Sequence, residues 1–101
     1  MEPDQQDISI SHQAGRQRYE LALDGTLAAF AQYRQQGDSV DFVHTEVLPQ
    51  YEGRGLAGRL AQFALEDVRD RRRKAIASCS YIANYIERHP QYRDLLQGGD
   101  R

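Results

Sequence analysis

The residues best placed to do chemistry in this chain are Gln50-Tyr51-Glu52-Gly53-Arg54-Gly55-Leu56-Ala57, where two glycines bracket one arginine. Glycines at that spacing let the backbone pass close to a ligand with no Cβ in the way. A helix opening directly behind them presents unpaired N–H groups and the positive end of its dipole. No Ser, Thr, Asp or Asn occupies positions 50 to 55 to cap that helix, so its first amides are left for an outside acceptor. The chemistry such a turn serves is the cradling of a phosphate. A Gly-x-Gly alone usually marks a tight turn, and it gains meaning here from its place between a β-like run and an amphipathic helix. Side chains that can move protons or attack a carbonyl flank it: His44 and Glu46 before, Cys79 and Tyr81 after.

Positioning these groups requires a sheet. Ile8-Ser9-Ile10 alternates as a first strand. Tyr19, Leu21 and Leu23 share one face of the next, and Asp24-Gly25 is a favoured two-residue hairpin turn into a strand from Thr26 to Tyr33. Gln35-Gln36-Gly37-Asp38 turns the chain again into a longer strand, Val40 to Leu48. Val40, Phe42 and Leu48 fall on one of its faces and Val43 and Val47 on the other, so it reads as central and covered on both sides. By the same alternation His44 and Glu46 share the face of Phe42 and Leu48. Pro49 cannot donate to a ladder and ends the strand.

From about Arg54 the period becomes helical, with Ala57, Leu60, Ala61, Ala64, Leu65 and Val68 forming one stripe. The basic run Arg69 to Lys74, with Asp70 interleaved, suits the negative end of that helix's dipole and reads as a solvated face. Ala75 to Ser78 follows as a short strand, expected parallel to Val40–Leu48 because a strand–helix–strand passage makes a crossover. A second helix, Tyr81 to Arg88, turns Ile82, Tyr85 and Ile86 inward and stops before Pro90, and Tyr92, Leu95 and Leu96 dock the tail. The expected fold class is α/β, an α+β mixed sheet: an antiparallel meander, then strand, helix, strand, helix.

The bulk composition bounds the partners. A chain of 101 residues is expected to make a single domain over 1–101, with about 1–7 and 97–101 flexible. A formal net charge of −2 argues against a dedicated nucleic-acid binder. One cysteine excludes a disulfide scaffold and suits a reducing, cytoplasmic compartment. The acidic, polar start and the lack of an apolar run near the roughly 18 residues of a membrane span make secretion and membrane insertion unexpected. His12, His44 and His89 lack metal-ligand spacing, so no metal is expected. The expected state is a monomer or weak homodimer.

In an open sheet with parallel strands, ligands sit outside the carboxyl ends of those strands. Here the end at Leu48-Pro49 feeds the glycine turn, while the end at Ser78 delivers Cys79 and Tyr81 to the same edge. At this point the chain resembles a known family. Gln50-Tyr51-Glu52-Gly53-Arg54-Gly55 fits the Q/R-x-x-G-x-G/A signature of the GCN5-related N-acetyltransferases (GNATs). It also resembles the very short GNAT-like proteins of YjdJ type. That likeness rests on His44-Thr45-Glu46-Val47, Gly53-Arg54-Gly55-Leu56-Ala57, Cys79-Ser80-Tyr81 and His89-Pro90-Gln91-Tyr92.

The resemblance implies a minimal GNAT-like fold whose parallel strand pair splays apart at an acetyl-CoA site. It implies that the amides of Gln50, Tyr51, Glu52, Gly53, Arg54 and Gly55, continuing into Leu56 and Ala57, bind the pyrophosphate. Glu46, Val47 and Leu48 would hold the pantetheine arm. Arg54 and Arg59 are candidates to neutralise phosphates. His44 or Glu46 is a candidate base for an acceptor ammonium. Cys79 reads three ways: as an acetyl-carrying nucleophile, as a proton donor to the leaving thiolate, or as a small buried residue. Tyr81, with Tyr85 as the alternative, would protonate the departing thiolate. Between the first two strands only Ser11 to Arg18 is available, too short for the two helices that enclose the acceptor in larger relatives. The implied function is N-acetyl transfer from acetyl-CoA directly to an amine. The alternatives are a non-catalytic CoA-binding sensor or adaptor, and acyl transfer through a Cys79 thioester.

Overall fold

The computed structural model describes residues 7–96. Its element order is β1 (Ile8–Gln13), β2 (Arg18–Leu23), β3 (Thr26–Gln36), β4 (Ser39–Val47), α1 (Leu56–Asp70), β5 (Lys74–Ala77) and α2 (Ser80–Arg88). Short 3-10 turns occupy Ala14–Arg16, Pro49–Tyr51 and Pro90–Leu95. The strands form one five-stranded sheet in sequence order, antiparallel from β1 to β4 and parallel between β4 and β5. The expected mixed sheet is therefore present, with its parallel pair where the crossover places it.

Local chemistry explains the turns. Asp24 and Gly25 both adopt positive φ, 49° and 84°, as the hairpin between β2 and β3 requires. The second turn is tighter than the sequence suggests, because β3 continues to Gln36 and only Gly37 and Asp38 lie between the strands. β1 also runs beyond Ile10 to Gln13. Ser11 and Gln13 are polar, but both point to the outer face, while His12 opposite Tyr19 faces inward and is held by aromatic neighbours. The expected flexible ends lie outside the described residues except for Asp7, which is tied down. Its N–H donates to Asp24 Oδ1 at 2.9 Å, and its carbonyl accepts from Asp24 N at 2.9 Å.

Both helices pack on one side of the sheet. Tyr19, Leu21 and Leu23 face α1, which buries Leu56, Leu60, Ala61, Ala64, Leu65 and Val68. Leu56 is buried at the head of the anticipated stripe, and Ala57 is only half-buried. Truncating a fully buried side chain such as Leu65 to Ala removes about 2–5 kcal/mol in general. α2 packs beside α1 on the same side through Ile82 and Ile86. The tail then closes the core with Tyr92 and Leu95. The basic run is not merely solvated, since Arg69 Nη2 donates to the Gln91 carbonyl and Asp94 Oδ1, each at 2.7 Å. Lys74 Nζ donates to the Asp94 carbonyl at 2.8 Å. These cations anchor the tail.

One irregularity matters more than the rest. Tyr33 pairs with Phe42 and Gln32 with His44, so Val43 is an extra residue bulged out of the β3–β4 ladder. A bulge shifts the alternation by one. Phe42 is buried facing α1, whereas His44 and Glu46 are exposed on the outer face, and Thr45 and Val47 now point inward. The expectation that His44 and Glu46 share the face of Phe42 is thus overturned. β4 is central, but its outer face is exposed beyond the bulge, at His44 and Glu46, while before the bulge Ser39 and Asp41 are buried.

Candidate functional site

The glycine turn sits where β4 ends. The Leu48 amide donates to the Ala28 carbonyl at 2.8 Å, fixing the last residue of the run to β3. Pro49–Tyr51 then make a single 3-10 turn. Gly53 and Gly55 follow at φ of 84° and 74°, conformations that an L side chain adopts only with strain. A Cβ at either glycine would meet nothing within 4 Å, so the requirement is for backbone freedom and not for space. Gly55 is the N-cap of α1, and among the described residues no side-chain cap hydrogen bond closes that end. The first amides of α1 are left without an intrahelical partner, which is the condition for holding an anion. Tyr51 is half-buried, and Arg54 sits with its guanidinium 5.5 Å from the Tyr51 ring. Gln50 and Glu52 are exposed.

A groove of about 450 Å³ opens beside this helix start. α1 and its N-cap contribute Gly55, Gly58, Arg59 and Gln62, and α2 and its C-cap contribute Tyr81, Asn84, Tyr85, Arg88 and His89. Two cations from different helices therefore flank an uncapped helix N-terminus. Arg88 and Asn84 were not read from the sequence as site residues, because α2 was assigned only by its apolar face. His89 stacks on Tyr85, ring centroids 4.0 Å apart, and so fixes one wall. Burial pushes the Tyr81 phenol above its ordinary value, opposed by the nearby Arg88 charge. Burial also raises Tyr85. Both phenols hold their protons at neutral pH and can donate them.

The two parallel strands part next to this groove. Their ladder runs from Ser39↔Lys74 to Phe42↔Ala77 and continues only through the Cys79 amide, which donates to the Phe42 carbonyl at 2.7 Å. Beyond the Val43 bulge, β4 runs on to Val47 with no β5 partner. One edge of its backbone, along Thr45, Glu46 and Val47, is left for another hydrogen-bonding chain. Cys79 is buried at the start of α2 and donates from Sγ to Thr45 Oγ1 at 3.4 Å. Thr45 was missed as a site residue, since only the bulge turns it inward.

The site residues fall into two groups on opposite sides of β4. Cys79 and Tyr81 lie on the helix side, with the glycine turn. His44 and Glu46 lie on the outer face and pair with each other, Nε2 to Oε1 at 3.0 Å. His44 also rests against Phe30, ring centroids 5.9 Å apart. The strands part between the two groups. No helix among the described residues is long and apolar enough to cross a membrane. Among the same residues, no group of three or more His, Cys, Asp or Glu is arranged to hold a metal ion.

Comparison with known proteins agrees with this architecture. A family model described as GCN5-related N-acetyl-transferase matches residues 18–95. Protein NATD1 of Mus musculus is 37% identical over 94 residues, covering 89% of this chain and 86% of the relative. Protein NATD1 of Homo sapiens is 37% identical over 94 residues, with 89% and 83% covered. The solution structure of a GCN5-like putative N-acetyltransferase from Staphylococcus aureus superposes with a TM-score of 0.69 at 24% identity. It covers 88% of this chain and 87% of that one, a likeness of fold. The ribosomal-protein-S18-alanine N-acetyltransferase from Escherichia coli gives a TM-score of 0.53 at 26% identity, over 59% of this chain and 39% of that one. The matched span takes in β2 through the docked tail, including the glycine turn, the parted strands and both walls of the groove, and the chain belongs to the GCN5-related N-acetyltransferase family.

Proposed function

We propose that this protein binds acetyl-CoA and transfers its acetyl group directly to an amine. One observation carries the reading: an uncapped helix N-terminus, built on two positive-φ glycines, opens onto a groove at the point where two parallel strands separate. The residues present fit the cofactor. The amides of α1's first turn would hold the pyrophosphate, with Arg59 and Arg88 offsetting phosphate charge. The edge of β4 that β5 leaves open, along Thr45, Glu46 and Val47, would hydrogen-bond the pantetheine amides, whereas Leu48 has spent its amide on the Ala28 carbonyl and its carbonyl on the Tyr51 amide. When bound, acetyl-CoA supplies an acyl thioester already activated toward amines.

The protein's own part is positioning and proton transfer. A carbonyl held where β4 and β5 part would be open to the outer face, where His44 and Glu46 lie. That pair would take one proton from an incoming ammonium, leaving a neutral amine able to accept the acetyl group, and the second proton that nitrogen sheds would replace the one Tyr81 gives up. Tyr81, kept protonated by burial, supplies a proton to the departing sulfur. Calorimetry with acetyl-CoA tests the reading on the wild type and on Gly55→Glu, which places a strained, negative residue in the cradle. Absence of binding by the wild type, or equal binding by the variant, sinks it.

A second reading, a CoA-binding adaptor without turnover, is favoured by the short link from β1 to β2, the 3-10 turn Ala14–Arg16 and Gln17, which leaves the acceptor side open. Release of free thiol from acetyl-CoA, screened over polyamines, amino acids and peptide amines, separates the two. Turnover with any acceptor eliminates the adaptor.

A further inference from the structure

A second cavity, of about 300 Å³, opens at the end of the sheet away from the glycine turn. α1 lies between the two sites, about 22 Å long at about 1.5 Å per residue. They share this element but no lining residue. The floor of the second cavity is buried and largely apolar, with Tyr19, Val40 and Val68. Its aromatic wall is held by its own contacts. His12 stacks on Tyr19 with centroids 4.4 Å apart and planes at 13°, and His12 Nε2 meets the Tyr33 hydroxyl at 2.6 Å.

Charge decides what such a cavity takes. Asp67 Oδ2 already accepts from the Tyr19 hydroxyl at 2.7 Å and from Arg71 Nε at 2.8 Å. Arg73 lines the same cavity and, among the described residues, enters no ion pair. It is brought there by Arg72, whose φ of 59° reverses the chain after α1, and by its own N–H donating to the Val68 carbonyl at 3.0 Å. Burial depresses the basicity of His12, with Asp67 opposing and Arg71 and Arg73 reinforcing, so the imidazole is neutral at pH 7. Two guanidiniums against one carboxylate leave a single net positive charge.

We propose that this cavity is a binding site for a small planar monocarboxylate, its carboxylate on the Arg73 guanidinium and its apolar body against His12, Tyr33 and Val68. A guanidinium presents a fork that matches a carboxylate in two parallel hydrogen bonds. The flat wall selects a planar body, and the charge balance selects one negative charge, since a phosphate dianion would also face the Asp67 carboxylate. The volume lies at the lower end of small-ligand pockets.

NMR titration of the full chain with benzoate, benzamide and benzylamine tests the proposal. Benzoate is expected to shift the amides around His12, Tyr33, Val68 and Arg73 saturably, in roughly the millimolar range for so small a ligand. The neutral and cationic isosteres are expected to bind at least about tenfold more weakly, one charge-assisted contact being the difference. Arg73→Gln should lose benzoate about tenfold while keeping its melting temperature and its affinity for acetyl-CoA, with Arg73→Lys in between. Benzoate shifts that do not saturate, shifts centred on the Gly55 groove, benzamide binding as well as benzoate, or undiminished binding by a folded Arg73→Gln would each overturn it.

Discussion

The thiol of Cys79 donates to the hydroxyl of Thr45 at 3.4 Å, joining positions 34 residues apart across the mouth of the gap between β4 and β5. With the Cys79 amide on the Phe42 carbonyl, this contact pins the start of α2 to the middle of β4 and sets where the strands separate. A hydroxyl is no general base, so the contact does not prepare the sulfur for attack. The geometry suits a small buried anchor at the mouth of the site better than an acyl carrier.

Cys79→Ala is accordingly expected to keep acetyl-CoA affinity within about twofold and to lose about 1 kcal/mol of stability, an ordinary cost for a small buried side chain. Intact mass of the wild type after incubation with acetyl-CoA should be unchanged. A stable acetyl adduct present in the wild type and absent from Cys79→Ala would move the chemistry onto the thiol.

Arg59 and Arg88 approach the same groove from different helices, so each should contribute to CoA affinity separately. Arg59→Glu and Arg88→Glu are each expected to weaken binding about tenfold at low salt, and by less near physiological ionic strength, where exposed charges are screened. Arg34→Glu, on the outer face of β3, is the control and should change affinity little. Calorimetry at two salt concentrations checks this, and equal affinities for all three variants would remove the phosphate role of the groove.

How far the sequence reveals this architecture depends on the kind of signal each element leaves. Asp24-Gly25 announces its turn because few residues tolerate positive φ, and Leu60, Leu65 and Val68 announce their helix face because burial repeats with the helical period. β5 follows from connectivity. The Val43 bulge leaves no such trace, since an extra residue in a ladder looks like any other in a run of alternating types. Everything downstream of it was therefore assigned to the wrong face: His44 and Glu46 were turned inward, and Thr45 was overlooked. Arg88 and Asn84 were missed for a different reason. Polar residues on an amphipathic helix look alike until a neighbouring helix makes a groove of them.

His12 gives the fold a dependence on mildly acidic pH. Burial holds it below its ordinary 6.5, aided by Arg71 and Arg73 and opposed by Asp67. The unfolded chain therefore takes up the proton first as pH falls, and this favours unfolding. Stability from His12 is full above pH 6.5 and declines below it, until the folded imidazole also protonates. Glu20 acts lower, because Arg18 and Arg16 hold it below its ordinary 4.5 against the opposing push of burial. The melting temperature should begin to fall below pH 6.5 in the wild type. In His12→Gln the decline between pH 6.5 and the carboxylate range should be shallower, from a lower starting value, since the stack on Tyr19 is lost. Parallel curves for the two proteins would place the pH dependence elsewhere.

The Val43 bulge itself is open to test by deletion. Phe42 pairs with Tyr33 and His44 with Gln32, so removing Val43 would join two correctly paired segments without reversing either face. What it would remove is the local bend that a bulge imposes on its strand. β4 would then run straighter beside β5, narrowing the gap that starts after the Phe42↔Ala77 pair. A protein lacking Val43 is therefore expected to fold with its core intact and to lose acetyl-CoA affinity by about tenfold or more, at about 1.4 kcal/mol per factor of ten. Val43→Ala keeps the extra residue and should bind like the wild type. Wild-type affinity in a folded deletion variant would show that the strands part for another reason, with the Cys79–Thr45 contact the next candidate.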